Sequence, residues 1–167
     1  IISFLYKWDV ISLINKNIKV DDQFLRGLNW IQRLEGNVIL YLLKDSKSLE
    51  DLYRRFYINT KERKTLDDYL KFQSILEINF EKYQTFSPSE WTKFIEDNHI
   101  NIETVKLLIC NGGKFWRPFF KWLFIYRYIQ SSKNGDELKK QGWVEGKSIG
   151  EELKRLRYLR IDKARKY

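Results

Sequence analysis

Several residue types are nearly missing from this chain, and each gap closes a chemical route. Cys110 is the single cysteine, so neither an internal disulfide nor a cysteine-built metal cluster can form. It lies in the apolar run VKLLIC, where it reads as a small core residue, and a lone thiol suits a reducing, cytoplasmic setting. His99 is the single histidine, which leaves no second imidazole for a zinc site, and it lies in no relay motif. P-loop glycines, a G-x-S-x-G elbow and H-E-x-x-H do not occur. Methionine is absent and the chain opens on Ile1. The expectation is therefore a fragment, a mis-started frame or the distal piece of a broken gene, with no signal peptide.

Long apolar runs are scarce as well. The most apolar stretch, Phe115 to Tyr128, is broken by Arg117, Pro118 and Lys121. It is also shorter than the roughly 20 residues that a spanning helix needs. A buried core helix is expected there, and no membrane partner. Adjacent aspartates occur as Asp21-Asp22 and Asp67-Asp68 in helix-like surroundings. Side chains at adjacent helical positions diverge, so neither pair makes a metal clamp. The reading is that this chain holds no catalytic residues and no metal site.

What is present is apolar surface and positive charge. The hydrophobic content of 43% and aromatic content of 16% are enough to build a core. Lys and Arg number 31 against 22 Asp and Glu, an excess that points to a polyanion, nucleic acid first and an acidic membrane surface second.

With two prolines, eight glycines and no sustained apolar–polar alternation, the pattern is helical throughout. Helices are expected from about Ser3 to Ile14 and from Asp22 to Leu43, with Gly27 and Gly36 marking a bend or a close helix contact. A shorter one is expected from Ser46 to Phe56. Asn59 with Glu62, and Ser87-Pro88-Ser89-Glu90, are spaced as capping boxes that open two further helices. In the Asn59-capped helix, Leu66, Tyr69, Leu70, Gln73 and Leu76 fall on one side. Asn101 opens another helix, which ends near Asn111-Gly112-Gly113. FWRPFFKWLFIYRYIQ reads as a helix apolar nearly all round, so Trp116, Phe119, Phe120 and Trp122 are expected in the core and not as base-stacking rings. Lys114 and Arg117 at its start are within reach of phosphate. Arg54, Arg55, Lys61, Arg63 and Lys64 form a charge run that is either solvated or RNA-facing.

SSKNGD reads as a linker with an Asn-Gly turn at its heart. Then come a short helix from about Asp136 to Lys140, Gly142 in the post-helix position, and a last helix starting near Gly146 or Ser148. Ser148 and Glu151 are spaced as its capping box. The fold class expected is all-α without significant sheet: a helical body over residues 1–130 and a small helical tail over 131–167.

The tail carries the functional reading. Gly146 and Gly150 let a backbone approach closely, and a helix amino end offers N–H groups to phosphate. Gly135, Gly146, Lys147, Ser148, Gly150, Lys154, Arg155, Arg157 and Arg160, together with Lys114 and Arg117, are the expected RNA-binding residues. Ile149, Leu153 and Leu156 would fasten the last helix to the body while Lys154, Tyr158 and Arg165 point away.

The spacing G-x-x-L…G…G-x-x-x-G-x-x-L-x-x-L, here Gly135, Leu138, Gly142, Gly146, Gly150, Leu153 and Leu156, resembles the C-terminal signature of class II tRNA nucleotidyltransferases and bacterial poly(A) polymerases. LYRRFYINTKERKTLDDYLKF and FLRGLNWIQRLEGNVIL are similar to the body segments of that family. Glu137 stands where the family usually has Asp, and Lys147 where it often has Pro. The resemblance implies a protein that holds tRNA, and not DNA, by its acceptor stem and T-arm. Duplex RNA is read in this way, through backbone and shape. It implies that catalysis, with Mg2+ and CTP or ATP, belongs to a head domain outside this chain, in cis or on a separate polypeptide. The choice between adding CCA, A or poly(A) would lie there too. The competing readings are a free-standing helical RNA- or DNA-binding module and an inactive remnant.

Overall fold

The computed structural model describes residues 18, 20–46 and 49–164. The helix expected over Ser3 to Ile14 lies outside them, as do Arg165 and Lys166. Every regular element among the described residues is helical, so the chain is all-α as expected. In chain order the helices are α1 (Asp22–Arg33), α2 (Val38–Leu43), α3 (Leu49–Arg55), α4 (Thr60–Ile78) and α5 (Phe80–Gln84). They continue with α6 (Pro88–Asp97), α7 (Ile102–Cys110), α8 (Trp116–Phe124), a 3-10 turn at Tyr126–Tyr128, α9 (Gly135–Lys140) and α10 (Lys147–Lys163). None is long and apolar enough to cross a membrane.

The chain forms two compact units that interleave in sequence. The first takes residues up to Phe80 and then Ile100–Phe120; the second takes Glu81–His99 and everything from Lys121 onward. All of 131–164 thus lies in the second unit, together with 81–99 and 121–130.

In the first unit α7 packs on both α1 and α4. The single helix expected from Asp22 to Leu43 is two. Leu34 to Asn37 break it: Glu35 adopts φ +52°, Gly36 N–H donates to Ile31 C=O at 2.9 Å, and Glu35 N–H donates to Gln32 C=O at 3.0 Å. That pair of bonds closes α1, and Asn37 opens α2 by accepting from Leu40 N–H at 3.2 Å. Gly27 is the close contact. A Cβ there would lie 2.1 Å from Tyr41 Oη and 2.2 Å from the Cys110 carbonyl oxygen. Cys110 is buried, and burial pushes its thiol up to about 12. Lys44 is buried as well, with its Nζ bound to the Asp45 carboxylate and to Asn111 Oδ1 at 2.9 Å.

α4 opens with the capping box of Asn59 and Glu62. It buries Thr65, Leu66, Tyr69, Phe72 and Leu76. Leu70, expected on that face, is 38% exposed, because Phe72 takes its place in the 3.6-residue period. α8 departs further from expectation. Phe119, Trp122 and Leu123 are buried, but Trp116 and Phe124 are exposed and Phe120 is half-buried. The helix packs by one face only.

In the second unit α6 packs on α10, and α9 packs on α10. Ser87 and Glu90 close the expected box at the start of α6, with Pro88 as first helical residue. His99 ends α6 at φ +52°, which gives the lone histidine a backbone duty.

Candidate nucleic-acid interface

Local bonds build the tail. Asn134 is not the centre of a turn but the N-cap of α9. Its side chain accepts from Glu137 N–H at 2.9 Å, and Glu137 returns the bond to Asn134 N–H at 2.9 Å. Gly135 is therefore the first helical residue, and a Cβ there would only touch Ile149 at 4.0 Å. At the other end Gly142 takes φ +90°, with its N–H on Lys139 C=O at 3.0 Å and Trp143 N–H on Leu138 C=O at 3.1 Å. This is the Schellman closure that glycine favours. Gly146 then takes φ +130° as the residue before α10, a region essentially reserved to glycine.

The Ser148–Glu151 capping box does not form. α10 starts at Lys147, two residues too early for Ser148 to cap it, and Ser148 Oγ instead donates back to Val144 C=O at 2.9 Å. Gly146 has no side chain with which to cap, so the amino end of α10 keeps backbone N–H groups without a side-chain acceptor from its N-cap.

Four side chains hold α10 to the rest of its unit. Ile149 and Ile161 are buried, whereas Leu153 and Leu156, the expected fasteners, are half-buried. Asp162 accepts Ser89 N–H at 2.9 Å and Ser89 Oγ–H at 2.8 Å, tying α10 to the first turn of α6. Arg157 places Nη1 and Nη2 on the two Glu96 oxygens at 2.6 and 2.7 Å, and Nε on Ile129 C=O at 2.7 Å. Burial alone would raise the Glu96 carboxyl. The hydrogen bonds and charge of Arg157 outweigh it, helped by Trp122 and Lys154, and hold Glu96 below the usual carboxylate range. The same carboxylate raises Arg157 above its ordinary value.

Arg157, one of the residues expected to bind RNA, thus engages its guanidinium within the unit. Arg160 is intermediate in role: it is exposed, with Nη1 donating to Gln130 C=O at 3.1 Å and Ser131 C=O at 3.2 Å. Arg155 is exposed and paired with Glu152 through two bonds of 2.7 Å. Lys147 is exposed, 3.7 Å from Glu151. Lys154 is exposed. Tyr158, expected to point away, is half-buried with Lys93 Nζ 4.7 Å above its ring. Lys114 and Arg117 belong to the first unit, where they lie over the rings of Phe80 at 4.0 Å and Trp116 at 5.5 Å.

The surface that remains is a stripe. Lys147, Gly150 and Lys154 recur at i, i+3 and i+7 and share one exposed face of α10. Nothing lies within 4 Å of a Cβ placed at Gly146 or at Gly150. Beside the stripe, a groove of 380 Å³ is lined by Lys93, Lys154, Arg155 and Tyr158 and equally by the carboxylates Glu151 and Asp162. Lys93 was not anticipated. Its spacing from Trp91 and Ile95 marks it as outward-facing on α6, but only packing sets that face beside α10.

Among the described residues no three His, Cys, Asp or Glu side chains gather as a metal site. Asp21 is engaged as the N-cap of α1, accepting Phe24 N–H at 2.8 Å. No known protein family, curated protein or solved structure matches this chain.

Proposed function

We propose that this chain is the tRNA-holding part of a tRNA nucleotidyltransferase, with the nucleotide-transferring head, its Mg2+ and its CTP or ATP lying outside it. The observation that carries the reading is the Lys147–Gly150–Lys154 stripe with open space over Gly146 and Gly150. Two ammonium groups flank Gly150, which has no side chain to keep a phosphate backbone away, although Glu151 stands beside it on the same face, 3.7 Å from Lys147. Residues 131–164 contain nine Lys and Arg against six Asp and Glu, so the field there favours a polyanion. Duplex RNA is read mainly by backbone and 2′-hydroxyl contacts, which such a surface supplies without base-specific groups.

The test is binding of the whole chain to tRNA and to duplex DNA of equal length across a salt series. The reading predicts preference for tRNA and a steep loss of affinity with salt. Lys147→Ala and Lys154→Ala would each lower the salt slope by about one. Equal affinity for the DNA would reject tRNA holding in favour of a general nucleic-acid module. Incubation with Mg2+, CTP, ATP and tRNA lacking its 3′ end tests the division of labour: incorporation by this chain alone would overturn it.

A further inference from the structure

The first unit carries aromatic surface that α8 does not bury. Trp30 is 41% exposed and Trp116 is 37% exposed. Both stand edge-on to Phe120, at centroid distances of 6.0 and 6.1 Å and interplanar angles of 81° and 76°. The three rings frame a cleft of 380 Å³, two walls rising from one floor, completed by Gln23, Arg26 and Ile109.

The charges around this cleft choose its occupant. Gln23, Arg26, Trp30 and Arg33 fall on one stripe of α1 at spacings of three and four. Arg26 lines the cleft, Arg33 lies 5.8 Å from the Trp30 ring centre, and Arg117 lies 5.5 Å from that of Trp116. None of the lining residues is a carboxylate. An aromatic frame of this kind with acidic neighbours would suit a quaternary ammonium group. With Arg26 in its lining and Arg33 and Arg117 each beside one of its tryptophans, it disfavours a cation and favours a flat ring that carries an anion.

We infer that this cleft takes an unpaired base of an RNA strand, stacked against Trp30 and Trp116, with the adjoining phosphates on Arg26, Arg33 and Arg117. Base stacking on exposed aromatics and backbone attraction to nearby Arg together make a sequence-tolerant single-strand site. The inference rests on the first unit alone and survives or fails independently of the α10 stripe.

The experiment measures fluorescence anisotropy of a labelled RNA octamer of mixed sequence with the full chain. A second octamer of the same charge, abasic at its central positions, is the control. Stacking predicts about 5- to 100-fold weaker binding of the abasic strand. Trp30→Ala and Arg26→Ala change exposed side chains, and each should weaken the intact octamer while leaving the helical circular dichroism unchanged. Lys147→Ala with Lys154→Ala should leave the octamer's abasic discrimination intact, which separates this site from the tRNA surface. Equal affinity for intact and abasic strands overturns the inference using the unaltered protein, so misfolding of a variant does not mask the result. Saturable binding of tetramethylammonium, quenching tryptophan fluorescence in unaltered chain but not in Trp30→Ala, would equally overturn it.

Discussion

Arg157 of α10 grips Glu96 of α6 through two parallel N–H···O bonds of 2.6 and 2.7 Å, and the Arg157 Nε spends its proton on Ile129 C=O. One cation of a helix rich in them is thus the fastener that holds the others in place. Removing one partner leaves the other charge partly buried and unpaired. Arg157→Leu or Glu96→Gln should cost about 2 kcal/mol, read as a lower urea midpoint. Arg157→Lys should recover little, since an ammonium cannot reproduce the fork. A midpoint unchanged in all three variants would remove this pair from the account of the second unit.

The same pair sets an acid limit. Glu96 titrates below its ordinary range in the folded protein. Its contribution is complete above the unfolded glutamate value, about 4.3, and is lost as pH falls through the lower folded value. Thermal melts from neutral to acid pH should show the unaltered protein losing part of its stability in that window. Glu96→Gln should lack this component, and parallel curves for the two proteins would contradict the assignment.

Gly27 is a close contact between helices in the first unit. Gly27→Ala drives a methyl group into the Cys110 carbonyl, at 2.2 Å, and into Tyr41 Oη, at 2.1 Å. The carbonyl ends α7, and Tyr41 is itself buried with its hydroxyl donating to Phe24 C=O at 3.0 Å, so neither yields freely. A loss of about 1–3 kcal/mol is expected despite the better helix propensity of alanine. Chemical denaturation followed by circular dichroism decides; a gain in stability would show that α1 and α7 are not packed this closely.

Two glycines of the tail should respond in opposite senses. Gly150 lies inside α10 with open space around it, so Gly150→Ala should stabilise the chain by about 0.5–1 kcal/mol. Gly146 sits at φ +130°, so Gly146→Ala should destabilise it by about 1–3 kcal/mol. If RNA passes over this face, Gly150→Leu should weaken tRNA binding while the fold stays intact. Unchanged tRNA affinity in that variant would leave Gly150 with no part in recognition.

Much of this protein was written in short-range signals. Asn59 with Glu62, Ser87 with Glu90, and Asn101 each opened the helix their spacing announces, because a cap bonds N–H groups two or three residues away and needs no distant partner. Gly142 ended α9 for the same reason. Where local cues competed, backbone hydrogen bonding decided: Asn134 became a cap and not a turn, and Ser148 lost its cap because α10 began two residues sooner. The helical class, the positive field and the glycine spacing of the tail are likewise properties of the string of residues. The partnerships belong to the packed chain. Nothing near Arg157 in sequence distinguishes it from Arg155 or Arg160; a carboxylate 61 positions away does. Nothing in FWRPFFKWLF tells Phe119 from Trp116, since both are large and apolar, and only the neighbours of α8 determine which ring is covered. Capping acts over one turn of helix, whereas burial and ion pairing are relations between segments that meet only when the chain folds.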